Sequence, residues 1–154
     1  MPAGVPVVRE ALLLVHVAAG TAGLLLGPLW LAARLRGSPA RAAAAGYLGA
    51  VGAVAVSGAG LALTAPGLLW LLPVALLTCG LAGAGALVRR WDRPHWRTTQ
   101  PHLLGGSYIA LVTGLLVAST GSPVWWVLPA LVGQLPIAVA KRRLHAVPSP
   151  PVPA

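Results

Sequence analysis

Long apolar segments fill almost the whole chain, and short stretches rich in arginine, proline or glycine separate them. A bilayer core of about 30 Å needs roughly twenty apolar residues in a helix, because lipid cannot form hydrogen bonds with free backbone groups. Five segments meet or approach this length, at residues 11–33, 42–64, 68–88, 103–121 and 124–140. The pattern predicts an all-α integral membrane protein, a bundle of five transmembrane helices in a single domain of residues 1–146.

The fifth segment is the least regular of the five. It is short and carries Pro129, Gln134 and Pro136, so it forms either a kinked span or a re-entrant segment. A tight turn is predicted at Ala65, Pro66 and Gly67, between the second and third helices. The tail at residues 147–154 holds four prolines without periodicity and is predicted to be disordered.

Positive charge is distributed unevenly around these segments. With five spans, ten cationic side chains fall on one side of the membrane: Arg34, Arg36, Arg41, Arg89, Arg90, Arg93, Arg97, Lys141, Arg142 and Arg143. Arg9 alone falls on the other side. Because basic loops are retained in the cytoplasm, the asymmetry predicts an N-terminus outside and a cytoplasmic C-terminus. Without the fifth span the last three cations would lie outside, so the asymmetry favours a complete span.

Composition supports a membrane location and identifies a partner for the cations. Of 154 residues, 57% are hydrophobic and 8% are charged, against roughly 25% charged residues in a soluble domain. The net charge of +9 would suggest nucleic acid in a soluble protein, but cations clustered between apolar runs favour anionic lipid headgroups instead. The predicted lipid-facing basic cluster consists of Arg89, Arg90, Arg93, Arg97, Lys141, Arg142 and Arg143. Abundant Ala, Gly and Arg are typical of a GC-rich bacterial genome, so we expect a bacterial inner-membrane protein.

The chain offers little material for catalysis. Glu10 and Asp92 are the two acidic residues and are predicted to lie at opposite membrane faces, so paired carboxylates cannot be assembled from them. Cys79 is the single cysteine and is expected to be a small buried hydrophobe. No catalytic residue is predicted, and the pattern favours a non-enzyme without deciding the question.

Four histidines are the candidate cofactor ligands, because imidazole binds haem, zinc and copper. His16 lies within the first span, whereas His95, His102 and His145 map to the cytoplasmic boundary. Two axial haem ligands must face each other at one depth, so His16 has no histidine partner inside the membrane. The three boundary histidines could bind haem or a metal together, or simply contact headgroups. Their spacing fixes no geometry, so no metal site is assigned.

Polar side chains within the spans could line a small cavity or tie helices together. Ser57, Thr113 and Gln134 are the main candidates, and a role in holding helices together by hydrogen bonds is favoured. For His16 the alternative to a ligand role is an interhelical hydrogen bond to Ser57, Thr64, Ser119 or Thr120. Small residues at four-residue spacing are predicted to let the helices approach closely, at Ala45, Gly49, Ala53 and Ser57, at Gly80 and Ala84, and at Ala110, Gly114 and Ala118.

Several short elements match a known pattern, namely His16 with Gly20 and Gly27-Pro28, then Gly46-Tyr47, Ser57-Gly58, and residues 105–111 with Thr113. In these elements the chain resembles an uncharacterised family of bacterial membrane proteins, the domain of unknown function 2306 and its relatives. It differs at residues 42–45 and at Gln100, where such families look to carry histidines, and His102 is displaced by two positions. The resemblance implies a fold and topology, and it implies no activity.

Three functions follow from these observations. The leading hypothesis is a small non-catalytic membrane protein that serves as a subunit, scaffold or assembly partner, in a homo-oligomer or with another membrane protein. The first alternative is a redox protein that binds haem or quinone through the histidines. The second is a small-solute carrier that uses His16 and Gln134.

Overall fold

The computed structural model describes residues 4–38, 40–90 and 96–145. Five helices occupy this part of the chain: α1 (Gly4–Leu35), α2 (Arg41–Thr64), α3 (Leu71–Arg90), α4 (Trp96–Thr120) and α5 (Leu128–His145). Each of the first four contains a segment long and apolar enough to cross a membrane, and the fifth such segment, Pro123–Arg143, begins in the turn before α5. The prediction of an all-α chain with five helices of membrane-spanning length is confirmed, and these features suggest a multi-pass membrane protein.

The helices do not begin and end where the apolar segments do. α1 and α4 begin seven residues before the predicted apolar segments, at Gly4 and Trp96, because a helix satisfies its own backbone whether its side chains are apolar or charged. The tight turn after Thr64 is a short 3₁₀ helix, Pro66–Leu68, which delays α3 until Leu71. A second 3₁₀ turn precedes α5, which then continues to His145.

Neighbouring helices run in opposite directions. Leu26 of α1 lies against Gly46 of α2, whereas His16, earlier in α1, lies against Gly58, later in α2. Residue numbers therefore rise along α1 as they fall along α2. The same antiparallel order relates α4 to α1, α3 and α5, all of which it contacts. α4 therefore lies at the centre of the contacts, and Trp30, Tyr47, Val51 and Leu104 belong to the buried core beside it.

The antiparallel order gathers charge at one end of the bundle, which we call the basic end. It holds the described cations Arg34, Arg36, Arg41, Arg90, Lys141, Arg142 and Arg143. At the opposite end, Trp70 and Trp126 pack edge to face with ring centroids 5.6 Å apart. Arg93, His95 and the tail at residues 147–154 lie outside the described residues, as do the side chains of Arg89, Arg97 and His145.

The small-residue stripes predicted for helix packing are only partly correct. On α2, Ala45 and Gly49 are exposed, and a methyl group added at Gly49 would meet nothing within 4 Å. Gly80 on α3 is equally open. The close approach to α1 uses a different face of α2, where Gly46 and Gly58 lie against side chains of α1. A shift of one position along a helix rotates the side chain by about 100°, so Ala45 and Gly49 of the predicted stripe point away from the interface, whereas Ser57 at its end is buried and contacts His16 of α1.

Candidate functional site

A cleft of about 350 Å³ lies between α1, α4 and α5. Its walls are formed by residues 27–31 of α1 and 129–140 of α5, its floor by residues 101–112 of α4, and Tyr47 of α2 lies at its inner side. Pro28, Val132 and Pro136 line the cleft and are also exposed. The cleft therefore opens to the outside of the bundle between α1 and α5.

The aromatic floor of the cleft depends on a glycine in α1. The ring of Tyr108 lies so close to Gly27 that a Cβ atom there would be 2.5 Å from Cδ2 of the ring. This approach lets the Tyr108 hydroxyl donate a hydrogen bond to the carbonyl oxygen of Leu24, at 3.2 Å. Gly27 thus allows α1 and α4 to meet while Tyr108 fills the space between them.

The hydroxyl groups near the cleft are occupied by protein partners. Tyr47 and Ser107 share a buried hydrogen bond of 2.9 Å between α2 and α4, and the Tyr108 hydroxyl is bonded to Leu24. Because a hydroxyl in an apolar environment is costly to leave unpaired, these bonds fix both rings in place. What the cleft presents to a ligand is almost entirely hydrocarbon and aromatic surface.

The α5 wall is held to the floor by two further glycines. Gly105 lies against Ile137, and Gly133 lies against Ile109, in both cases closer than a side chain would allow. α5 contacts α4 extensively but touches α1 at few points. The result is a wall that is anchored on one side and separated from α1 on the other.

The cleft belongs to the half of the bundle near the basic end. Trp30 and Leu31 lie close to the last turn of α1, and Ala140 lies directly before the cations of α5. Arg34 follows Trp30 by four residues, and Lys141 follows Ile137 by four. Residues four apart lie on one helix face, so both cations continue the cleft walls toward the basic end.

His16 forms a separate polar contact between α1 and α2. Its Nδ1 atom lies 3.2 Å from the Ser57 hydroxyl and 3.1 Å from the Val54 carbonyl oxygen, and Gly58 provides room for the ring. Ser57 also donates to the Ala53 carbonyl oxygen at 2.6 Å. The interhelical hydrogen bond expected for His16 is therefore made to Ser57.

The structure does not bring the described histidines together. Tyr108 lies beside Gly27 in the antiparallel pair of α1 and α4, so His102 lies level with the last turn of α1, roughly 25 Å along the bundle from His16 at 1.5 Å per residue. His102 is exposed. Within the described residues there is no group of three His, Cys, Asp or Glu side chains that could hold a metal ion.

The predicted polar intramembrane residues lie in different environments. Ser57 is buried and bonded as described, and Thr113 is buried in α4. Gln134 is exposed on α5 and, like the other two, is not part of the cleft lining. The expectation that Gln134 lines a cavity or forms an interhelical hydrogen bond stays a prediction.

The residues of the cleft were not singled out as a site from the sequence. Their sequence signal lay in the short elements of the family resemblance, because Gly27-Pro28, Tyr47, Gly105 and Tyr108 all line the cleft. Two of them are glycines that lie opposite a large side chain of another helix, Gly27 opposite Tyr108 and Gly105 opposite Ile137. The pairing itself could not be read before the helices were placed.

The structure is a helical bundle whose five apolar helices suggest a multi-pass membrane protein, with an apolar cleft that opens at its side. No protein-family profile, curated protein or solved structure matches the chain.

Proposed function

We propose that this chain is a small non-catalytic membrane protein, a subunit or scaffold, that holds one hydrocarbon chain of a neighbouring lipid in its cleft. The observation that carries the proposal is an apolar cleft of about 350 Å³ that opens sideways between α1 and α5. A methylene group is close in size to a water molecule, so the cleft has room for several consecutive methylene groups of a hydrocarbon chain.

The length of the cleft supports the same occupant. Its floor runs over residues 101–112 of α4, which is about 17 Å at 1.5 Å per residue. That is close to one half of a bilayer core of about 30 Å. The cleft therefore matches the hydrocarbon layer of one leaflet, the leaflet at the basic end.

Lipid is the occupant favoured by energetics as well as by size. Water gains too few hydrogen bonds in an apolar site to fill it, and an empty cleft loses the dispersion contacts of its walls. A lipid chain restores those contacts without leaving the hydrocarbon. The energy gained comes from packing, since lipid chains and apolar side chains are equally hydrophobic.

We further propose that the N-terminus lies outside and the C-terminus in the cytoplasm, as the ten-to-one distribution of cations favours. The cleft then faces the cytoplasmic leaflet. Single cysteines at Ser38 and Gly67, introduced with Cys79→Ala, test this orientation, because both positions are exposed in connections at opposite ends of the bundle. An impermeant maleimide added to intact cells should label Gly67→Cys and not Ser38→Cys. The reverse labelling pattern would invert the topology.

The cleft is tested with lipids that carry bromine on the acyl chain, which quenches tryptophan fluorescence on contact. Trp30 lines the cleft and is only 4% exposed, so a chain reaches it chiefly through the cleft. In a variant that keeps Trp30 and has phenylalanine at the other five tryptophan positions, we expect brominated lipid to quench the emission.

The control uses two exposed positions on α5 and the same new side chain. Val132 lines the cleft, whereas Leu135 does not. Val132→Phe should occupy the cleft and reduce quenching of Trp30, and Leu135→Phe should leave it unchanged. If Trp30 is not quenched, or if Val132→Phe has no effect on its quenching, the chain-binding function is wrong.

The redox and carrier hypotheses receive less support. His16 and His102 lie at different depths, so these two histidines cannot be the axial ligands of one haem. A carrier that uses His16 and Gln134 would need both side chains on one pathway, and Gln134 is exposed on α5.

A further inference from the structure

The two cations that continue the walls of the cleft distinguish it from an ordinary lipid-facing groove. Arg34 lies one turn beyond Trp30 on α1, and Lys141 one turn beyond Ile137 on α5. Both side chains are half-buried, unlike Arg36 and Arg142, which are exposed. A lipid whose chain lies in the cleft would place its headgroup where these two side chains are.

We propose that the cleft selects an anionic phospholipid, whose phosphate is bound by Arg34 and Lys141 at the basic end. The inference rests on the proposed function, because it assigns the headgroup of the lipid whose chain lies in the cleft. All the cations of the basic end attract anionic lipids in general, whereas the headgroup selection proposed here depends on Arg34 and Lys141 alone.

Charge at the site complements an anion. Glu10, the one acidic residue in the described part of the chain, lies near the opposite end, in the first turns of α1. The seven described cations of the basic end outnumber Asp92, the one acidic residue that the sequence places at that end. Arg34 and Lys141 already have contacts in the protein. The Nε and Nη2 atoms of Arg34 are buried, so Arg34 would donate to a phosphate oxygen through Nη1, whereas the ammonium group of Lys141 carries three donors.

Partial burial strengthens the electrostatic attraction between these two cations and a phosphate. Charges at a fully hydrated surface are screened by water and salt, whereas half-buried charges are screened less. A zwitterionic headgroup has the same phosphate but brings a cation with it, which would meet Arg34 and Lys141 with like charge. The expected discrimination is therefore between phosphatidylglycerol and phosphatidylcholine of identical chains.

The test is a titration of the protein that keeps Trp30 as its single tryptophan, in nanodiscs of unbrominated phosphatidylcholine. Brominated phosphatidylglycerol or brominated phosphatidylcholine is added, and the mole fraction that gives half-maximal quenching is measured. A direct ion pair at a protein surface contributes up to about 1 kcal/mol, which is about fivefold in affinity. We expect phosphatidylglycerol to quench at a lower mole fraction, and Lys141→Gln to reduce this preference about fivefold.

Matched controls are provided by the neighbouring cations. Arg142 follows Lys141 directly but is exposed on another face of α5, so Arg142→Gln should leave the preference unchanged. Arg34→Gln should act like Lys141→Gln, with Arg36→Gln as its control. Far-UV circular dichroism of every variant establishes that the helices are intact.

The outcomes separate the headgroup inference from the function it rests on. Equal quenching by both lipids would overturn the anionic selection and leave chain binding in place. An equal effect of Lys141→Gln and Arg142→Gln would also overturn it, because the preference would then come from the charge of the whole end. Absence of quenching by either lipid would overturn both proposals.

Discussion

A single methyl group added at Gly27 is expected to force α1 and α4 apart. In Gly27→Ala the new Cβ atom would lie 2.5 Å from Cδ2 and 2.8 Å from Cε2 of Tyr108, where carbon atoms normally pack at about 3.5–4.0 Å. The ring or the helix must therefore move by about 1 Å. The ring has little freedom to do so, because its hydroxyl is bonded to the Leu24 carbonyl oxygen at 3.2 Å.

The size of the effect follows from two contributions. Overpacking of a well-packed interior costs about 1–3 kcal/mol, and an interhelical hydrogen bond in a membrane protein contributes about 0.6 kcal/mol. Replacing glycine by alanine within a helix also stabilises it by up to about 1 kcal/mol. Gly49→Ala supplies a matched control for this last effect, because nothing lies within 4 Å of its new Cβ atom.

The measurement is the free energy of unfolding in mixed micelles of dodecyl maltoside and sodium dodecyl sulfate, followed by far-UV circular dichroism. Because helix propensity cancels between the two variants, Gly27→Ala should be less stable than Gly49→Ala by about 2–4 kcal/mol. Tyr108→Leu in the Gly27→Ala background should recover part of the loss. Equal stability of Gly27→Ala and Gly49→Ala would refute the close packing of Tyr108 on α1.

Three further predictions use the same unfolding assay. Tyr47→Phe and Ser107→Ala should each lower the free energy of unfolding by about 0.5–1.5 kcal/mol. The double variant should lose little more than the more damaging single variant, because both substitutions remove the same hydrogen bond. Fully additive losses would contradict that bond. Leucine substitutions of Trp70 and Trp126 should show a coupling of about 0.5–1.5 kcal/mol in a double-mutant cycle, and zero coupling would mean that the rings do not interact. His16→Leu should cost about 0.6 kcal/mol and leave the visible absorbance of the purified protein unchanged, whereas a Soret band lost in this variant would favour the redox hypothesis.

The number and order of the helices were predictable because the signals are local. Hydropathy is summed over neighbouring residues, and breaks such as Pro66 with Gly67 act on the backbone where they stand. Helix ends were less predictable: α4 extends to Trp96, well before its apolar segment, because polar residues do not end a helix by themselves. Depth in the membrane alone left four candidate hydrogen-bond partners for His16, and Ser57, the partner in the structure, was one of them.

The sequence by itself determined five apolar spans, short connections and the charge asymmetry, since each depends on residue type and distance along the chain. Only the tertiary structure decided which helix faces meet. Spans that are apolar on all sides carry no clear periodic signal for their rotation, so Gly49, which faces open space, and Gly46, which lies against Leu26, look alike in sequence. The cleft depends on those rotations, because Gly27 meets Tyr108, and Gly133 meets Ile109, only after three helices have been placed together.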